Sequence, residues 1–245
     1  MKILFTADLH SYIKAYEWFA KLLKERDYDV GVIAGDLMED YISEGEIKKM
    51  MPTTVNDFLQ DLPIADEDAD ETLKRIHKKI DNREGILFRA LDIREAQIRA
   101  ILATAKKPIF VVRGNHDYCL WKNGANIYNA HNKKYNFGKY NFVGYQWTSL
   151  EKNELEQEED LQKIAPLIDN NTILITHSPP HGILDSTFGL TDKIVNIGSK
   201  PLKNLIYMKR PRLHLFGHVH SNFGKVGKSY NGSFPNAKKF IKIEI

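Results

Sequence analysis

The chain predicts a layered α/β fold with its chemistry gathered at the carboxyl ends of the strands. Three observations support this. Short apolar runs alternate with helical stretches along the 245 residues. Five of these runs end in side chains that bind divalent metal: Asp8-Leu9-His10, Gly35-Asp36, Gly114-Asn115-His116-Asp117, His177 and Gly217-His218-Val219-His220. In open α/β sheets, ligands bind in the crevice beyond the carboxyl ends of the strands, so five separate strand ends can deliver donors to one place.

The elements follow in order. Ile3 to Ala7 is an apolar run stopped by Asp8, as in a strand buried on both faces. Residues 12–26 carry Ile13, Tyr16 or Trp18, Phe19 or Ala20, Leu22 and Leu23 at helical spacing. Asp29 to Ala34 is the second strand and Ile109 to Val112 the third. Thr172 to Ile175 leads into Thr176-His177, and Leu213 to Phe216 leads into Gly217-His218. Lys225 to Phe234 and Lys239 to Ile245 alternate around glycine in the manner of a closing β-hairpin.

The segment 37–107 is longer than one crossover helix needs. Residues 66–104 show helical periodicity through Leu73, Ile76, Ile80, Leu87, Leu91 and Leu102, with an expected break at Asn82 to Gly85. The acidic residues Asp66, Glu67, Asp68, Asp70 and Glu71 suit the positive end of a helix dipole better than a further metal site. We read residues 1–245 as a single domain with a helical insertion at 37–107, which either caps the site or forms a subunit interface.

Composition narrows the function classes. A hydrophobic content of 42% and a charged content of 27% are ordinary for a globular chain. The formal net charge is +3 and the basic clusters are short, so a nucleic-acid partner is not favoured. The one cysteine, Cys119, cannot form an intramolecular disulfide, which fits a reducing compartment. No apolar stretch approaches the roughly 20 residues needed to cross a bilayer. The N-terminus leads straight into a strand and reaches metal-binding residues by position 8, leaving no room for a removable signal. A cytoplasmic protein without a membrane partner is the expectation.

Asp8 and His10 alternate in a segment leaving a strand, so both can face one cation, and His218 and His220 repeat the arrangement. Either motif alone is common in surface loops; five donor segments in this order are not. Oxygen and nitrogen donors without a thiolate suit manganese, iron, zinc or nickel rather than a cysteine-type zinc site. Two divalent cations, balanced by Asp8, Asp36 and a bridging hydroxide, leave a charge of about +1, which attracts a phosphate anion.

This series resembles the signature of the calcineurin-like metallophosphoesterases. The stretch Thr176-His177-Ser178-Pro179-Pro180-x-Gly182-Ile183-Leu184-Asp185, with Gly198-Ser199 and His214-Leu215-Phe216-Gly217-His218, resembles a narrower branch of small, class III cyclic-nucleotide phosphodiesterase-like proteins. The family resemblance implies a four-layer α/β/β/α sandwich. It implies a first metal held by Asp8, His10, Asp36 and His220, and a second held by Asp36, Asn115, His177 and His218. Manganese is the favoured metal. His116 would protonate the leaving alkoxide or stabilise the developing charge, with Asp117 orienting its ring and favouring its protonated form. The expected reaction is hydrolysis of a small or nucleotide-like phosphodiester through a metal-bridging hydroxide; a phosphomonoesterase, a nuclease and a non-catalytic scaffold are the alternatives.

The remaining histidines and aromatics carry plainer expectations. His214 reads as a packed strand residue, and His77 and His131 as surface residues. His181 either touches substrate or serves its loop. Tyr118 and Trp121 either stack on a nucleobase or pack in the core. Cys119 reads as a small buried residue rather than a nucleophile.

Overall fold

The computed structural model describes residues 1–39, 44–50, 69–118, 121–189 and 193–245, with backbone alone for residues 44, 45, 48 and 69–84. Cys119 and the acidic residues 66–68 lie outside the described residues, and so do the side chains of Asp70, Glu71 and His77.

Two sheets form the frame. In the first, β1 (Lys2–Thr6), β2 (Val30–Ala34), β3 (Ile109–Val112) and β4 (Ile127–Asn129) run parallel. The second holds β5 (Lys134–Phe137), β6 (Tyr140–Tyr145), β7 (Thr172–Thr176), β10 (Leu213–Phe216), β11 (Gly224–Val226) and β12 (Ser229–Asn231). Its order is β11-β12-β10-β7-β6-β5, parallel through the middle with antiparallel strands at the edges. A separate hairpin pairs β8 (Ser186–Phe188) with β9 (Ile194–Asn196).

The burial of whole strands explains why the sequence runs are apolar throughout rather than alternating. Every residue of β2, β3, β7 and β10 is buried. Ile3, Phe5, Val32, Phe110 and Val112 of the first sheet share one core with Phe142, Ile173, Ile175 and Leu215 of the second. The Phe110 and Phe142 rings stack across it at 3.9 Å.

Helices cover the outer faces. On α1 (Ile13–Glu25), Phe19 and Leu23 fill the space over Gly31 of β2. Leu161 and Ile164 of α4 (Glu154–Ile164) join Leu202 and Leu205 of α5 (Lys200–Lys209) against Val143, Tyr145 and Leu174 of the second sheet. The start of α4 is set by a capping box: Asn153 Oδ1 accepts from Glu156 N at 3.0 Å, and Glu156 Oε2 accepts from Asn153 N at 2.9 Å.

Two expectations require correction. The chain end does not close a hairpin. After β11 and β12 have paired, a short helix α6 (Phe234–Ala237) carries the chain away. The last strand, β13 (Ile241–Glu244), then pairs antiparallel with β1 in the other sheet, with Ile3 opposite Ile243. Alternation marks these residues as strand but cannot name a partner at the far end of the sequence.

The second correction concerns the long segment, which contains α2 (Glu44–Met50) and α3 (Ala69–Ala103). Helix α3 runs 35 residues without the expected break at Asn82 to Gly85; one interior glycine costs a helix only about 1 kcal/mol. The chain divides into two compact units, Met1–Glu39 with Ile98–Ile245, and Asp40–Gln97. The smaller unit lies within the segment 37–107. Leu37 and Met38 are tied to Asp117, and the end of α3 buries Ile98 and Leu102. Within the smaller unit Arg94 pairs with Glu46 at 3.2 Å.

Candidate metal centre

The parallel strands present their carboxyl ends along one edge, and the predicted donors begin there. Asp8 follows β1, Asp36 follows β2 and Asn115 follows β3; His177 follows β7 and His218 follows β10. Asp8, His10, Asp36 and His220 each offer one ligand atom, all within 4.8 Å of one another. The Nε2 atoms of His10 and His220 face each other at 3.2 Å.

A second group shares Asp36. Its Oδ2 lies 3.3 Å from His177 Nε2, which is 3.1 Å from Asn115 Oδ1. The His177 and His218 rings stand edge to face at 5.0 Å. His218 Nε2 is buried with no hydrogen-bond partner among the described residues, and a buried nitrogen without a partner is costly.

Glycine at two motif positions follows from close approach. A Cβ on Gly35, which has φ +87°, would come within 2.3 Å of His177 Nδ1. One on Gly114 would lie 2.2 Å from Asp36 Oδ1 and 2.8 Å from His177 Nε2. The surrounding non-glycine backbone is strained as well: Asp8, His10, Ser11, Asp36 and His218 all have φ between 44° and 71°. Left-handed conformations cost such residues about 1–3 kcal/mol each and persist only where their surroundings impose them. The motif spacings carried no sign of this strain; its cause is the turning of each loop back over a strand end.

Backbone donors hold the carboxylates. His218 N donates to Asp8 at 3.0 and 3.1 Å, and His116 N donates to Asp36 Oδ1 at 2.9 Å. His177 Nδ1 meets the Ala34 carbonyl at 2.9 Å, which turns Nε2 toward Asp36.

The electrostatics are those of a cation site. Burial, reinforced by Asp36, pushes the Asp8 carboxyl above its usual range. Burial pulls the other way on Asp36, yet His177 and the His116 backbone hold it well below. Burial alone would lower His177, but the charges of Asp36 and Asp8 lift it to about 10. Desolvation drops His10 to about 4 and His218 to about 3, so both offer neutral lone pairs. Two carboxylates, one amide oxygen and the neutral imidazoles of His10 and His218, the latter with its buried Nε2 lacking a partner among the described residues, fit divalent metal.

His116 is half-buried, with its ring 5.4 Å from that of His10. Asp117 ties the two loops together. Its buried carboxylate accepts from Gly114 N at 2.8 Å, Met38 N at 2.7 Å and Leu37 N at 3.1 Å. It therefore braces the loops after β2 and β3. Burial, then Asp36, pushes it up to about 7.

Trp121 is fully buried, with Arg99 5.0 Å over its ring, so it packs in the core rather than on a base, while Tyr118 is exposed. His131 is a half-buried residue rather than a surface one. Its Nδ1 accepts from Gln146 N at 3.3 Å, and burial lowers it to about 4. His181 Nδ1 is 3.6 Å from the buried carboxylate of Asp185, which also accepts from Gly182 N and Gly198 N.

Fold and donor set together frame a candidate metal site at the strand ends. The family model for calcineurin-like phosphoesterases matches residues 1–222, and the chain belongs to that family. Metallophosphoesterase domain-containing protein 1 of Homo sapiens and of Mus musculus is 43% identical over 65 residues, 26% of this chain and 19% of each relative. The matched segment thus spans about a fifth of those proteins. Among solved structures, the protein TT1561 of Thermus thermophilus superposes with a TM-score of 0.56 at 18% identity, covering 98% of this chain and 97% of that one. A dimetal phosphatase from Danio rerio gives 0.52 at 9% identity, covering 95% and 86%. At these identities the likeness concerns the fold. No helix among the described residues is long and apolar enough to cross a membrane.

Proposed function

We propose that the protein is a phosphodiesterase acting on a small or nucleotide-like substrate, with two divalent cations, manganese favoured. The observation that carries this reading is the pair of donor groups sharing Asp36. Asp8, His10, Asp36 and His220 would hold one cation, and Asp36, Asn115, His177 and His218 the other. When bound, such a pair supplies a water of lowered pKa and a clamp on the phosphate oxygens.

The chain's own residues do the rest. Asp36 spans the two groups with one carboxylate, and its His116 N–H bond keeps one oxygen oriented. His10 and His218 enter as neutral donors, so the centre keeps net positive charge toward a phosphate. The His116 ring, half-buried and 5.4 Å from that of His10, would give a proton to the departing alcohol oxygen. Water adds across the P–O bond, its oxygen ending on phosphorus. Asp117 contributes by holding Gly114 and Met38 in place, which keeps His116 and Asp36 in register. A net charge of +3 supports a small ester over a polymer. We read the Asp40–Gln97 unit as an insertion within one catalytic domain.

The name of the Danio rerio protein favours phosphomonoester hydrolysis as the second reading. Turnover of an aryl phosphodiester and the matching monoester with added manganese separates the two. The diesterase reading expects preference for the diester, with loss of activity in His218→Ala. Monoester preference supports the alternative, and full activity in His218→Ala removes the metal-centre assignment.

A further inference from the structure

His214 is the buried titratable group that the proposed chemistry leaves unused. It sits in the middle of β10, 1% exposed, stacked on Phe216 with ring centroids 5.0 Å apart. Its Nε2 lies 2.8 Å from Thr176 Oγ1, while Nδ1 is buried with no hydrogen-bond partner among the described residues. Thr176 Oγ1 in turn reaches the Ser178 carbonyl at 2.6 Å.

The proton count fixes the direction of this chain. A carbonyl can only accept, so the single hydroxyl proton of Thr176 goes to Ser178 O. Thr176 Oγ1 must then accept from the imidazole, which places the histidine proton on Nε2 and leaves the Nδ1 lone pair unpaired. Burial lowers the ring to about 3, in keeping with this neutral form. Thr176 and Ser178 flank His177. Its carbonyl also accepts from Gly217 N at 3.1 Å, and Gly217 precedes His218. Strand β10 and the residue after it thus grip the His177 turn at two points, by His214 and by Gly217.

We infer that His214 is a positioning residue for the metal centre: through the Thr176 hydroxyl it locks the backbone on both sides of His177 and so aims that ring. This rests on the assignment of His177 as a ligand in the function proposed above. An alternative role for His214, plain filling of the core, requires no particular tautomer and no link to metal affinity.

Two measurements test it. Nitrogen-detected NMR of the wild-type imidazole reads the tautomer directly and does not depend on metal or activity. The expected result is the neutral form protonated at Nε2; protonation at Nδ1 overturns the wiring. Manganese affinity of the metal-free protein is then compared across His214→Gln, His214→Leu, Thr176→Val and the His214→Leu/Thr176→Val double variant. Glutamine can present an N–H where Nε2 stands; leucine cannot.

Outer groups that orient metal ligands contribute on the order of 10–100-fold in affinity. His214→Leu and Thr176→Val are therefore expected to weaken manganese binding about tenfold. The double variant should be no weaker than either single change, and His214→Gln should stay within about threefold of wild type. Wild-type affinity in His214→Leu, or equal loss in His214→Gln and His214→Leu, overturns the inference. If wild-type protein binds no manganese, the ligand assignment fails, while the tautomer result still decides the hydrogen-bond chain.

Discussion

The two sheet edges that meet at the proposed metal centre carry different donors. The first sheet delivers every carboxylate, Asp8 and Asp36, together with the Asn115 amide and His10. The second delivers imidazoles alone: His177, His218 and His220. Neither edge is a site by itself. The first alone would hold two buried carboxylates close together, and the second three imidazoles stripped of solvent, each arrangement unfavourable without the other. Both proposed donor groups straddle the seam, so on that proposal packing of sheet on sheet and assembly of the centre are one event.

The comparison is broken most severely at Asp36, the side chain both groups use. Asp36→Asn should lower kcat/KM about 1000-fold or more, since several kcal/mol of charge stabilisation depend on that carboxylate. Steady-state turnover of an aryl phosphodiester measures it. Loss below tenfold would mean that the two groups do not depend on a shared residue.

The seam itself is attacked by Phe110→Ala, which removes the ring stacked on Phe142 between the sheets. A cost of about 3–5 kcal/mol in denaturant unfolding is expected, with weakened metal binding in the same variant. Gly35→Ala acts more locally, because its Cβ would meet His177 Nδ1 at 2.3 Å at a positive φ. About 1–3 kcal/mol of stability should be lost, and metal affinity should fall further than stability explains. Unchanged metal affinity would show that Gly35 serves the turn alone.

The smallest effect is expected at Asp169, which accepts from Lys134 Nζ, Asn141 Nδ2 and the Asn171 backbone. Lys134, with these other donors, holds its carboxyl well below the usual range. Its stabilisation is therefore present above the ordinary carboxylate pKa and fades as pH falls through the lower folded value. After solvent screening, Asp169→Asn should cost about 1 kcal/mol at neutral pH. The gap to wild type in thermal unfolding should narrow in acid, with metal binding unaffected. A gap that stays constant down to low pH would remove this account of Asp169.

The clustering of Asp8, His10, Asp36 and His220 was legible in the sequence because Asp8, Asp36 and the Gly217-His218-x-His220 motif each close an apolar run. A fully buried parallel strand leaves that run uninterrupted, and its end is where the chain can turn toward a ligand. Less could be read where partners are distant. β13 alternates like a hairpin strand, yet its mate is β1. That Asp117 also accepts three backbone N–H groups from two loops is another contact the sequence does not announce. His214 looked like core packing, and only the Thr176 and Ser178 contacts reveal what its ring donates to. α4 could have been found from Asn153-x-x-Glu156, a capping signal that lies plainly in the sequence.

Calorimetric titration of manganese into metal-free protein, wild type beside Asp36→Asn, tests the central claim most directly. The account predicts two equivalents bound per chain by wild type, with both weakened together in the variant. Uptake by Asp36→Asn that matches wild type, or loss of one site with the other intact, would contradict a centre built across the seam on one shared carboxylate.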